Sequence, residues 1–159
     1  MLATMATSSK AEDLDSVYTK EMLPIGTEVP DVMLDSIHNV SLKSMRGKYV
    51  VLHFWASWCP DCRKDMPAMH ELANVYSSDS IVFVHISYDT NKEVWQKYVA
   101  NNKMVGIEFS ELKKMRECTT YKQFNIKWIP AMYLVDPEGK VMLRAVKAET
   151  LAERLKQLK

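Results

Sequence analysis

The residues of this sequence most capable of chemistry are two cysteines separated by two residues, Cys59 and Cys62. Two thiols at this spacing can close a small disulfide ring. Apolar residues recur at helical spacing after Cys59, so the pair lies at the start of a predicted helix, where unpaired N–H groups and the positive dipole end stabilise a thiolate. We therefore predict that Cys59 is the attacking sulfur and that Cys62, one turn further in, resolves the mixed disulfide.

The same spacing is also half of many zinc sites, which need a second pair of ligands. The sequence contains no second Cys-x-x-Cys and no His-x-His, and Arg63 follows Cys62, which excludes the Cys-x-x-Cys-His haem attachment pattern. We expect no cofactor and no metal site. A copper or zinc carrier that uses both thiols, with His53 or Cys118 as a further ligand, stays open as the non-enzymatic alternative.

The third cysteine, Cys118, has no nearby cysteine partner in the sequence. Free cysteines are commonly buried as small apolar residues, so we expect no chemistry from it. The alternative is a reactive thiol, because Cys118 precedes a predicted helix over residues 121–124.

Composition and charge limit the classes of partner. The chain has 159 residues and a formal net charge of +1, without a run of five or six like charges, so no long-range field attracts nucleic acid or anionic lipid. No apolar run reaches the roughly 18–20 residues that cross a bilayer, and residues 1–10 lack the pattern of an intact signal peptide. We expect a flexible N-terminal arm over residues 1–21 and one domain over residues 22–159.

An α/β fold is expected to position the cysteines. Residues 49–55 are β-branched and aromatic without alternation, as in a central strand covered on both faces. The helix that follows, in which Pro67 predicts a kink, leads to a second buried strand over residues 81–86, so these strands pair in parallel. A turn at residues 136–139 joins two short apolar runs, which predicts an antiparallel pair before a terminal helix. Apolar runs around residues 36–39 predict an N-terminal hairpin.

The cysteine motif resembles a known signature. Thioredoxin-like reductases carry a similar segment, which here reads Phe54-Trp55-Ala56-Ser57-Trp58-Cys59-Pro60-Asp61-Cys62, and their second signature resembles Ile129-Pro130. Matches run from Gly26 to the last helix, and the whole pattern resembles the TlpA/ResA-like branch. The resemblance implies a thioredoxin fold, which is a central mixed β-sheet flanked by helices, with an N-terminal β-hairpin and an insertion after the first βα unit.

The resemblance also implies an activity. Members of this branch are extracytoplasmic reductases that pass electrons to oxidised cysteines in other proteins. It therefore implies a thiol-disulfide oxidoreductase with protein clients, an upstream thiol-disulfide donor and an extracytoplasmic location, with a cytoplasmic one still open.

The family pattern also implies a client-binding surface. The proline of the second signature is cis in the family and faces the disulfide, so Pro130 is expected to hold extended client backbone beside Cys59. The alternative is a trans proline that opens a strand. The apolar docking surface around the cysteines is expected to include Trp58, Pro60, Trp128 and Ile129.

Departures from related families narrow the chemistry. His53 stands where thioredoxins carry a buried acid, so an imidazole would transfer the proton of the resolving thiol; a histidine packed against the sheet is the alternative. Asp61, between the cysteines, suits a helix start but opposes a neighbouring thiolate, so the sign of its net effect is open. A peroxidase on the same fold is disfavoured, because peroxiredoxins need Thr and Pro three and seven residues before the reactive cysteine, where this chain has Ala56 and Leu52.

Overall fold

The computed structural model describes residues 13–158. The helices are α1 (Leu14–Tyr18), α2 (Pro60–Tyr76), α3 (Lys92–Asn101), α4 (Thr119–Gln123) and α5 (Ala148–Gln157), and 3₁₀ turns lie at Lys43–Met45 and Met115–Glu117. The strands are β1 (Met33–Asp35), β2 (Val40–Ser41), β3 (Tyr49–Trp55), β4 (Ile81–Ser87), β5 (Ile107–Ser110), β6 (Ala131–Val135) and β7 (Val141–Ala145). None of the described helices is long and apolar enough to cross a bilayer.

The central sheet has the strand order β5-β4-β3-β6-β7. β3 pairs in parallel with β4 and antiparallel with β6, and β7 returns antiparallel to β6. The predicted thioredoxin fold is confirmed, with the β1–β2 hairpin as a separate small sheet before it. Between β4 and β6 the chain adds α3, β5 and α4, and β5 extends the sheet by one parallel edge strand.

β3 is buried on both faces, which explains why its sequence shows no polar alternation. Successive strand residues point to opposite faces. On one face Val51 packs with Met69 of α2 and Leu155 of α5. On the other face the ring of Phe54 contacts that of Phe124, with centroids 5.3 Å apart. The C-terminal end of this fixed central strand leads directly into the cysteine motif.

α2 carries the cysteine motif at its first turn and packs against the sheet along its length. Pro60 occupies the first helical turn, where a missing N–H is harmless. The helix continues past Pro67 to Tyr76. Its buried residues recur at helical spacing: Cys62, Met66, Met69, Leu72 and Ala73. Because this stripe packs in the core, the start of α2 is held close to the C-terminal end of the central strand β3.

The start of the described chain is bound to the domain. Asp13 caps α1 by accepting a hydrogen bond from the Asp15 N–H at 3.2 Å, and the Asp15 carboxylate accepts from the Val146 N–H at 2.7 Å. Of the predicted flexible arm over residues 1–21, residues 1–12 lie outside the described residues. Within residues 13–21 the chain forms the short helix α1, which is hydrogen-bonded to the domain.

Candidate active site

Cys59 is the N-cap residue of α2. Its Sγ accepts a hydrogen bond from the backbone N–H of Cys62 at 3.2 Å, so the sulfur lies at the positive end of the helix dipole. Both cysteines are free thiols, with Cys59 5% exposed and Cys62 1% exposed. The structure thus brings the two predicted thiols together and places Cys62 deeper than Cys59.

The two thiols differ in acidity. The hydrogen bond from the Cys62 thiol, helped by the Cys62 N–H, lowers the pKa of Cys59 to about 7, against burial and the negative charge of Asp61. The same hydrogen bond to Cys59, followed by burial, raises the pKa of Cys62. One proton shared between two sulfurs explains the opposite directions, because Cys59 becomes the thiolate while Cys62 keeps the proton. Cys59 is therefore the more nucleophilic sulfur near neutral pH.

This acidity gives a testable pH dependence. In Cys62→Ala the pKa of Cys59 is expected to rise from about 7 toward the ordinary value of about 8.5, because the thiol donor is lost while the helix N-terminus remains. The thiolate fraction, and with it the rate of alkylation by iodoacetamide at pH 7, should fall roughly fivefold for a rise to about 8 and roughly fifteenfold for a rise to the full ordinary value. The check is the alkylation rate of the reduced protein between pH 5 and pH 10. An unchanged titration midpoint in Cys62→Ala would contradict the assignment.

The loop before Cys59 is fixed through Ser57. The Ser57 N–H donates to the Asp89 carboxylate at 3.1 Å, and its hydroxyl donates to the same carboxylate. The Ser57 carbonyl accepts from the Arg63 guanidinium at 3.1 Å, and the Ser87 hydroxyl also donates to Asp89. Asp89 is buried just after the end of β4, so a carboxylate from the loop that follows the neighbouring strand positions the turn before Cys59. Sequence reasoning missed this residue.

The Ile129-Pro130 bond lies beside the Cys59 sulfur. The predicted cis peptide is present there, and the Cys59 Sγ lies 3.8 Å from the Ile129 carbonyl oxygen. Pro130 is buried, and Trp58 is 51% exposed although its Nε1 donates to the Tyr88 carbonyl at 3.2 Å. Cys59 therefore has a backbone carbonyl close to its sulfur and a neighbouring aromatic ring open to solvent.

Comparison with known proteins places this geometry in a family. The profile of the thioredoxin-like family matches residues 47–141, which include the cysteine motif and Pro130. The chain belongs to the thioredoxin-like family. The predicted family and enzyme class, a thioredoxin-like oxidoreductase of the ResA-related branch, are confirmed by the relatives that follow.

The relatives of this thioredoxin-like chain are named thiol-disulfide oxidoreductases. The chain is 29% identical over 144 residues to the thiol-disulfide oxidoreductase ResA of Bacillus thuringiensis, covering 88% of this chain and 80% of that protein. It is 28% identical over 115 residues to the sporulation thiol-disulfide oxidoreductase A of Bacillus subtilis, covering 70% and 67%. The thioredoxin domain of a thiol-disulfide oxidoreductase from Bacteroides vulgatus superposes with a TM-score of 0.74 at 26% identity, covering 86% and 98%.

Within the thioredoxin-like site, Asp65 is a second residue that sequence reasoning missed. It lies on α2 three residues after Cys62, which puts the two side chains on one helix face. Burial, followed by the negative charge of Glu149, raises the pKa of Asp65 to about 6, and the charge of Asp65 contributes to the raised pKa of Cys62. Its Oδ2 is buried without a hydrogen-bond partner among the described residues. An acid one turn after the second cysteine was the available signal.

His53 forms a buried pair with His85. The two residues are register partners on the parallel strands β3 and β4, and their Nδ1 atoms lie 2.9 Å apart. The His85 Nε2 lies 2.8 Å from the Val105 carbonyl oxygen, which can only accept, so we assign the His85 proton to Nε2 and the shared proton to the His53 Nδ1.

Both rings of this pair are neutral near pH 7. Burial, followed by the neighbouring His85, holds the pKa of His53 well below its usual value. Burial lowers the pKa of His85 to about 4. Proton transfer by His53 stays a prediction, and the cost of charging a ring in this pair opposes it.

Among the described residues, neither Cys118 nor His53 completes a metal-binding group with Cys59 and Cys62. The Cys118 Sγ contacts the Lys113 carbonyl oxygen at 3.4 Å, and burial, followed by the charge of Glu111, raises the pKa of this thiol to about 11. Cys118 is buried, as expected. Across residues 13–158, no group of three or more His, Cys, Asp or Glu side chains is arranged to hold a metal ion.

Proposed function

We propose that the protein catalyses thiol-disulfide exchange with client proteins through Cys59 and Cys62, and that it works as a reductase. The observation that carries this proposal is the asymmetry of the pair. A nearly buried Cys59 with a pKa of about 7 lies at a helix N-terminus, and a deeper Cys62 with a raised pKa holds the proton. This combination suits one attacking and one resolving sulfur.

The proposed reaction has two exchange steps. The Cys59 thiolate attacks one sulfur of a client disulfide, forming a mixed disulfide and releasing the other client sulfur as a thiolate that takes up a proton. Cys62 then loses its proton and attacks the Cys59 sulfur, which releases the second client thiol. The client gains two electrons and the enzyme becomes the Cys59–Cys62 disulfide. A dithiol donor returns it to the reduced form.

We assign the client contacts to the surface beside Cys59. The Ile129 carbonyl, close to the sulfur, is available to accept a hydrogen bond from an extended client backbone. Trp58, Pro60 and Pro130 are proposed to pack against the client segment on either side of its cysteine. This assignment follows the thioredoxin-like family pattern and rests on the positions of these residues around the sulfur.

We propose that Asp65 accepts the proton that Cys62 loses when it attacks the mixed disulfide. A base that accepts a proton near neutral pH needs a pKa near the working pH, and the pKa of Asp65, about 6, is closer to that range than an ordinary carboxyl. The carboxylate has a buried oxygen free to accept among the described residues. His53, neutral and bonded to His85, is less suited, because its ring gains a charge in a desolvated site.

The Asp65 assignment gives a kinetic prediction. In Asp65→Asn the resolution of a preformed mixed disulfide at Cys59 should slow about a hundredfold at pH 7, because the amide cannot take the proton. Stopped-flow release of a chromophoric thiol measures this step. Glu71→Gln is the matched control, since it removes an exposed acid from the same helix more than two turns beyond Cys62 and should leave resolution unchanged. Equal resolution rates in Asp65→Asn and the unchanged protein would contradict the assignment.

The proposed activity is tested by reduction of insulin disulfides with a dithiol as the electron source. The protein should accelerate precipitation of the insulin B chain, and alkylation should show a reversible disulfide between Cys59 and Cys62. The alternative, a copper or zinc carrier, predicts a different outcome. Stoichiometric metal in protein purified without added metal, together with protection of both thiols from alkylation, would favour the carrier and overturn the reductase.

We also propose an extracytoplasmic location and an upstream thiol-disulfide donor. The support is the likeness to the ResA-like branch, in which the named relatives fall. Fusion of the full gene product to alkaline phosphatase, which is active only after export, tests the location. A fusion that stays inactive while the protein accumulates would place the enzyme in the cytoplasm.

A further inference from the structure

A groove runs along the side of the cysteine pair. It has a volume of about 260 Å³, and its lining includes Asp61 and Asp65 of α2 together with Trp128, Pro130 and Val146. Leu14 of α1 lines it from the other side. Because Asp61 separates the cysteines and Pro130 follows Ile129, whose carbonyl lies beside Cys59, the groove borders the cysteine pair.

α1 is held against this groove by bonds to distant parts of the chain. A helix of five residues is not stable alone. The Asp15 carboxylate accepts from the Val146 N–H at 2.7 Å and from the Thr150 hydroxyl. An ion pair joins Asp13 to Lys147 at 3.3 Å. These contacts attach α1 to the start of α5, so that α1 forms one side of the groove.

Tyr18 of α1 extends this wall toward the reactive site. Its ring stacks on that of Trp128, with centroids 4.3 Å apart and planes 23° apart. Trp128 immediately precedes Ile129, whose carbonyl lies beside Cys59. The stack covers one face of the indole, and Trp128 also lines the groove.

α1 carries apolar side chains that are largely unburied. Leu14 is 45% exposed and Val17 is 36% exposed, and α1 contains no fully buried residue. Of these two, Leu14 lines the groove with Trp128 and Pro130. An apolar side chain seated there would remove water from Leu14 and the indole, which stabilises the complex.

We propose that α1 forms the outer wall of the client groove and that Leu14 determines specificity by binding an apolar side chain of an extended client segment next to its reactive cysteine. This inference rests on the proposed exchange at Cys59. The occupant is a client peptide because the groove lining contains Asp61 and Pro130, which lie next in the chain to Cys59-Cys62 and to Ile129 beside the sulfur. Charged groups of both signs, including Asp61 and Lys64, line the remaining wall and can meet the polar backbone of that segment.

The test compares two disulfide-linked peptides that differ by Leu or Ser beside the cysteine. The unchanged protein should reduce the Leu peptide with the higher kcat/KM, and Leu14→Ser should lower this preference about tenfold, as expected for loss of a hydrophobic contact. Val17→Ser is the matched control, because Val17 lies on the same helix and does not line the groove. An equal preference in Leu14→Ser and Val17→Ser would overturn the inference.

A second variant separates altered specificity from loss of α1. Leu14→Lys should favour a peptide with Glu beside the cysteine over the Leu peptide, a gain that unfolding of α1 cannot produce. Failure of the proposed function has a different result, since the unchanged protein would then reduce neither peptide nor a small aromatic disulfide. If the small disulfide is reduced and no variant alters peptide preference, only the role of Leu14 is rejected.

Discussion

Cys62→Ser is expected to capture client proteins as stable mixed disulfides, whereas Cys59→Ser should capture none and should lose catalytic turnover to the uncatalysed level. Cys59 is the proposed nucleophile, so the mixed disulfide should still form without Cys62 but should not be resolved. Without Cys59, the remaining thiol is 1% exposed and keeps its proton, so attack on a client is blocked. Non-reducing electrophoresis and intact mass after incubation with oxidised insulin measure both outcomes.

Cys118→Ala supplies the control for this pair of variants. The third thiol is also 1% exposed, and its pKa is raised to about 11, so its removal should leave both trapping and turnover unchanged. Dithiol-dependent insulin reduction that persists in Cys59→Ser would reject the proposed mechanism. If Cys118→Ala abolished trapping, the attacking sulfur would be that of Cys118 and the assignment to Cys59 would be wrong.

Asp89→Ala is expected to lower the free energy of unfolding by about 3 kcal/mol, because it leaves three buried hydrogen-bond donors without an acceptor. Each such donor costs about 1–3 kcal/mol if the surrounding structure does not rearrange. The donors are the Ser57 N–H, the Ser57 hydroxyl and the Ser87 hydroxyl. The exchange rate should also fall at least tenfold, because the turn that presents Cys59 loses its anchor. Urea denaturation and insulin reduction measure the two effects.

Asp35→Ala is the matched control for Asp89→Ala. The Asp35 carboxylate also accepts several hydrogen bonds, from the N–H groups of Ile37 and His38 and from the His38 ring, but water can replace it at the surface. We expect a loss of about 0.5 kcal/mol and unchanged exchange. A similar loss of stability in both variants would show that the burial of Asp89 does not increase the contribution of its hydrogen bonds to the free energy of unfolding.

The parts of the fold that the sequence predicts are those specified by local pattern. The β-branched and aromatic run of β3, which contains His53, and the helical stripe after Cys59 follow from contacts within a few residues or across one crossover, and both appear as predicted. The attachment of α1 is different. It depends on Asp15 meeting Val146, which is 131 residues away, and no local pattern encodes that encounter.

The candidate site divides in the same way. Cys59 and Cys62 are recognisable from spacing, and Asp65 could have been found as an acid one helical turn further on. Asp89 could not, because its contact with Ser57 exists only once β3 and β4 pair in a particular register. The same register places His53 against His85, so the neutral state of the pair follows from tertiary burial.

The anchoring of Ser57 on both sides has a consequence for how electrons are directed. Asp89 fixes its N–H and hydroxyl while Arg63 fixes its carbonyl, so the backbone before Cys59 has little freedom to rearrange. We therefore expect oxidation of the pair to proceed by rotation of the cysteine side chains, with small reorganisation of the protein. The oxidised and reduced enzymes should then present nearly the same outer surface, so that differences in binding affinity do not distinguish the donor from the client. The direction of electron flow is left to their relative reduction potentials.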